Sequence, residues 1–118
     1  MSDLLLEPAD RQTLVKLAEE NIRAAVLNQP GLSRQRLEEI VRQHPALGTP
    51  AGAFVTIYVG RQLRGCLGEI LPDDPLAMVV ARCANHTPRF DHRFEPLMPA
   101  ELNDLKFKIS VLSPPSPL

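Results

Sequence analysis

At 118 residues the chain has the size of one domain, long enough to bury roughly two-thirds of its unfolded surface around a single core. With 44% hydrophobic and 23% charged residues it falls among ordinary globular chains and outside the disordered and membrane classes. Thirteen basic against fourteen acidic side chains leave a net charge of −1, which excludes a general electrostatic pull toward nucleic acid or anionic lipid.

No apolar run approaches the ~20 residues that cross a bilayer, and the start, MSDLLLEPAD, lacks the basic region of a signal peptide. The cytoplasm is the expected compartment, with no membrane partner. Cys66 and Cys83 form no CxxC pair, so they are expected as free thiols rather than as a disulfide framework or a zinc finger.

Leu14, Leu17, Ala18, Ile22, Ala25 and Val26 recur at helical spacing, predicting a first helix over about residues 8–28, with Pro8 at its start and Asn21 as one lapse. Ser33 can cap a shorter second helix with a stripe of Leu37, Ile40 and Val41, ending at His44-Pro45. His44 reads as solvated, and 45–52 as a loop. The period then becomes extended. Residues 53–59, AFVTIYV, and 62–69 form a hairpin about Gly60-Arg61. A two-residue turn would pair Tyr58 with Leu63 and Phe54 with Leu67, and set Val55 and Ile57 against Cys66 and Arg64. Both faces are apolar, so the hairpin is expected at the centre of its sheet.

Asp74 can cap, and Pro75 begin, a third helix to about Asn85, with Leu76, Val79, Val80, Cys83 and Ala84 on one face. Cys83 therefore belongs to the core. The proline-punctuated stretch HTPRFDHRFEPLMP reads as a loop before a strand in which Leu105, Phe107, Ile109 and Val111 alternate with polar residues. Lys106 and Lys108 fall on the wet face of that strand, a common protection of exposed edges. Residues 113–118, SPPSPL, read as a connector. The fold class is α+β, an antiparallel sheet built around a central hairpin with flanking helices.

Leu63 to Gly68, LRGCLG, resembles the LRGC[IL]G signature of the AMMECR family, whose bacterial members are called AmmeMemoRadiSam system protein A. Upstream, GAFVTIYVGRQLRGCLG is similar to the family's hairpin entry; downstream, residues 91–97, DHRFEPL, resemble its DPRFPPL, with His92 in place of Pro, and 109–115 match ISVLSPP. The resemblance implies a mixed α+β domain that continues past this last stretch with further strands and a helix. Residues 1–118 are then expected as a single AMMECR-like domain, incomplete at its carboxyl end or completed by another chain. The family's bacterial name implies a Memo-like protein and a radical SAM protein as partners.

Arg64 and Cys66 lie two apart on a strand and share a face, where a guanidinium favours the thiolate. Gly65 and Gly68 clear space for a ligand or another backbone. Asp91 or His92 could act as base or orienter for Cys66 if the loop folds back, and Arg64 with Arg93 could grip a carboxylate or phosphate. The bland alternative is a buried structural Cys66, Arg64 in a salt bridge, and a loop pinned by an Asp91 to Arg pair with Phe94 and Leu97 in the core. His86, His92, Cys66 and Cys83 match no compact zinc spacing, so no metal and no cofactor is expected.

Two readings stay open, and the sequence does not decide whether the chain is an enzyme. One is a thiol-dependent enzyme or component, with Cys66 and Asp91 catalytic and Arg64, Gly65, Gly68 and Arg93 lining a small anion site. The other is a noncatalytic binding or scaffold module whose LRGCLG hairpin is structural, with an exposed sheet edge that recruits a partner or a second copy. Nucleic-acid binding is the weakest reading, because only Tyr58 and Phe54 stand near the Arg-Gly segment to stack bases.

Overall fold

The computed structural model describes residues 6–70 and 72–112. The first helix, α1, runs Pro8–Val26 and buries Leu14, Leu17, Ala18, Ile22, Ala25 and Val26, the predicted stripe. It ends two residues earlier than expected because Asn28 enters the left-handed region at φ 58°. The amides of Gln29 and Asn28 then bond back to the carbonyls of Ala24 and Ala25, a Schellman closure. Asn21 is no lapse. Buried at 3% exposure, it donates from Nδ2 to the Leu17 carbonyl and accepts the Leu32 amide at Oδ1, tying the next connection to the helix.

Helix α2, Arg34–Gln43, starts at Ser33, whose Oγ accepts the Arg36 amide at 3.1 Å, and buries Leu37 and Ile40. The expectation of a solvated His44 is overturned. Its Nδ1 stands 3.1 Å from Asp10 Oδ1 and its Nε2 3.1 Å from Thr13 Oγ1, so the ring braces the end of α2 against the start of α1. The following stretch, read as loop, contains a 3-10 turn, Pro45–Gly48, that buries Leu47 completely.

Strands β1 (Gly52–Val59), β2 (Gln62–Glu69) and β3 (Leu105–Leu112) form an antiparallel sheet in the order β2-β1-β3. Among the described residues β1 is the central strand, and β2, expected with it at the centre, is an edge. The predicted register holds at the turn, where Tyr58 pairs with Leu63 and Gly60 takes φ 58°. It then slips by one residue at a bulge. Ile57 faces Gly65, Thr56 faces Cys66 and Phe54 faces Gly68, in place of Arg64, the pair with Val55 and the pair with Leu67. The reason is room. A Cβ on Gly65 would lie 2.8 Å from Thr87 Cγ2, so the position opposite Ile57 admits no side chain, and the extra residue lets Arg64 leave the ladder.

Helix α3, Leu76–Phe90, outruns the expected end at Asn85 and takes Thr87 and Pro88 into its last turn. Pro88 lacks the amide that the turn would use, but its ring is fully buried, and Thr87 Oγ1 donates to the Cys83 carbonyl at 2.7 Å. Pro75, not Asp74, stands at the N-cap; Asp74 pairs with Arg82 instead. A 3-10 segment, Pro99–Asp104, leads into β3.

The helices lie on one face of the sheet. Ala53, Val55 and Ile57 of β1 pack there with Leu76, Val79, Val80 and Cys83 of α3 and with Leu14, Leu17 and Ile22 of α1. Each such aliphatic side chain contributes about 1.5–3 kcal/mol on full burial. By the alternation of β1, the opposite face carries Phe54, Thr56 and Tyr58, flanked by Cys66 of β2 and by Lys106, Lys108 and Ser110 of β3.

Candidate functional site around the LRGCLG hairpin

The bulge sends Arg64 toward the segment before β3. Its Nε and Nη2 make a two-pronged pair with Glu101, both at 3.0 Å, and Nη1 donates to the Glu95 carbonyl at 3.0 Å. The guanidinium, with the Met98 amide as second donor, holds the Glu101 carboxyl below its ordinary range. Every polar edge of Arg64 thus faces a partner inside the fold.

Cys66 turns its backbone outward from β1, and the loop after α3 meets it. Its amide donates to Asp91 Oδ2 at 2.9 Å, and its carbonyl accepts Arg93 Nη2 at 3.1 Å. Asp91 also binds Arg93 through Nη2 at 2.7 Å, through Nε at 2.9 Å and through the Arg93 amide at 3.2 Å. Asp91 is 4% exposed. The Arg93 guanidinium first, and then the Cys66 and Arg93 amides, outweigh burial and hold its carboxyl far below the usual carboxylate range. Such an anion is a weak base at neutral pH. The loop does fold back over the hairpin, but the carboxylate meets the backbone of Cys66, while the thiol stands 3.3 Å from Thr56 Oγ1.

The two glycines are places of close approach. Gly65 fits under Thr87, and a Cβ on Gly68 would lie 2.4 Å from Phe54 Cδ2 and 2.5 Å from the Ala53 carbonyl. Phe94 lies partly buried under the Arg93 guanidinium at 5.5 Å, and Leu97 is buried. His92 and His86 are exposed. Among the described residues no group of three or more His, Cys, Asp or Glu side chains is arranged to hold a metal.

Sequence reasoning missed the fork of Arg82 against Glu69, two contacts of 2.7 Å, with Asp74 on the third nitrogen at 3.0 Å. Its only signal was a lone Glu closing an apolar strand. Glu69 also bears on Cys83, whose thiol is pushed up to about 11, by burial first and by that carboxylate second.

The sequence pattern of AMMECR1 proteins matches residues 15–118. The chain belongs to the AMMECR1 family. It is 37% identical over 102 residues to a Thermococcus gammatolerans protein, covering 74% of this chain and 50% of the relative. A Methanothermobacter thermautotrophicus protein is 37% identical over 112 residues, covering 91% of this chain and 53% of its own. The AMMECR1 fold seen here is similar to the crystal structure of the uncharacterized protein PH0010 from Pyrococcus horikoshii. The TM-score is 0.71 at 27% identity, over 84% of this chain and 49% of that one. The chain spans about half the length of the curated AMMECR1 relatives it matches. Among the described residues no helix is long and apolar enough to cross a membrane.

Proposed function

We propose that this AMMECR1 chain is a noncatalytic binding module, in which the LRGCLG hairpin is a brace and the outer edge of β3, unpaired among the described residues, receives a polypeptide. The observation that carries this reading is the closure of both charged neighbours of Cys66. Arg64 is held by Glu101 and the Glu95 carbonyl, and Asp91 by Arg93 and the Cys66 amide. Neither is left to clamp an anion or to take a proton.

The receiving edge follows from the ladder. Because Cys66 points its amide and carbonyl outward, its partner Thr56 points toward β3 and bonds Lys108. Phe107, Ile109 and Val111 then direct their backbone groups away from β1, at an edge where another strand can add. Lys106 and Lys108 form no ion pair among the described residues, which favours an acidic extended segment.

The likeness to AmmeMemoRadiSam system protein A makes a Memo-like protein and a radical SAM protein the first partners to test. Calorimetric titration of a purified Memo-like protein should give binding that weakens with salt. It should fall at least about tenfold when Lys106→Glu and Lys108→Glu are combined, and stay unchanged in Cys66→Ala. Association that depends on Cys66 and ignores both lysines would defeat the reading.

A thiol-dependent reaction is the second reading, favoured by the half-buried Cys66 beside an Arg93 side chain that is 64% exposed. Cys66 would then be the nucleophile, Arg93 the anion contact, and Gly65 and Gly68 the clearance.

A further inference from the structure

On the helical side of the molecule α2, α3, Asn21 of α1 and the connection between α1 and α2 line an open cleft of about 350 Å³. That is the lower end of the range for small-molecule sites. Its floor is apolar, from Leu32, Leu37, Met78 and Ala81, and its rim carries Arg34, Arg82, Asn85 and His86. No Asp or Glu lines it, in a chain whose acidic residues outnumber its basic ones.

The inner end is shaped by Gly31. A Cβ there would lie 2.2 Å from Asn21 Oδ1 and 3.0 Å from Asn85 Nδ2, so only glycine lets the connection press against both amides and leaves the space beside them open. The rim donors differ in commitment. Arg82 is already neutralised by Glu69 and Asp74. Arg34 reaches only Glu38, at 3.4 Å, with its side chain 80% exposed. Asn85 and His86 make no side-chain hydrogen bond among the described residues; the His86 ring stands edge-on to Phe90 at 5.6 Å.

An apolar floor beside the exposed Arg34 guanidinium, held only by Glu38, and the unengaged side chains of Asn85 and His86 is complementary to one chemical class. We propose that this cleft binds a small organic carboxylate with an apolar body, its charge at Arg34, Asn85 and His86 and its hydrocarbon or ring over Leu37, Met78 and Ala81. The charge-assisted contact gives direction, and the buried apolar body gives the selectivity against inorganic anions. The site shares no residue with the sheet edge or with the Cys66 hairpin, so it stands or falls independently of them.

The test is a titration of the isotope-labelled chain with benzoate, and separately with inorganic phosphate, followed by amide chemical shifts. Benzoate should move the amides of residues 31–37 and 78–86 saturably, and phosphate should bind at least about tenfold more weakly. Arg34→Glu, at an exposed position, should weaken benzoate at least about tenfold, and His86→Ala should weaken it less. No saturable shift with benzoate, equal binding in Arg34→Glu, or phosphate binding as tight as benzoate would each overturn the proposal.

Discussion

Cys66 and Cys83 bring the same side chain to opposite faces of one sheet, and their surroundings set them apart. Cys83 is 4% exposed, with its sulfur 4.0 Å from the Ala53 carbonyl and 4.0 Å from Glu69 Oε2. With its thiol pushed up to about 11, it stays protonated at any ordinary working pH. Cys66 is half-buried beside Thr56 on the face that the helices leave open. Iodoacetamide at pH 8 should therefore add one label, on Cys66, to the folded chain, and a second, on Cys83, only in denaturant. Peptide mapping by mass spectrometry reads this directly, and rapid labelling of folded Cys83 would contradict it. The place of Cys83 was legible because helical spacing alone puts it with Leu76, Val79 and Val80. Strict alternation places Cys66 against Val55, but its neighbour is Thr56, because the ladder skips one residue.

At the level of elements, the skipped residue comes from tertiary packing. The turn at Gly60-Arg61 fixes Tyr58 against Leu63, and local sequence carries the pairing that far. What shifts the ladder at Arg64 is Thr87, a residue of another helix, whose side chain and carbonyl occupy the space that a Cβ would need. The same contact required α3 to extend through Pro88, where the sequence signalled a break. Asn21, a lapse in the apolar stripe, and His44, expected in solvent, likewise take their places from the segments that they tie. Gly65→Ala should cost about 1–3 kcal/mol, since the added carbon would meet Thr87 Cγ2 at 2.8 Å and its carbonyl at 3.1 Å. Thermal unfolding followed by circular dichroism checks it; a variant as stable as the parent would show that the bulge relaxes freely.

For the whole molecule, the α+β class and the order of helices and strands are readable from periodicity, and the family from four co-linear motifs, whereas the roles of their charged residues are not. Charges at useful spacing look alike in sequence whether they await a ligand or hold the fold together. Here two clamps, Arg64 with Glu101 and Asp91 with Arg93, fasten β2 to the chain between α3 and β3. The β2 edge is thereby closed, and among the described residues nothing pairs with the outer side of β3. Asp91 is the tighter of these clamps, and urea unfolding of Asp91→Asn probes it. Because the folded carboxyl lies below its ordinary value of about 3.9, its contribution is full above that value and is lost as pH falls through the folded value. At pH 7 the variant should lose about 1–2 kcal/mol, discounted for the exposure of Arg93, with the slope unchanged and the loss shrinking below about pH 4. An unchanged midpoint at pH 7, or a difference that grows in acid, would show that Asp91 does not hold β2.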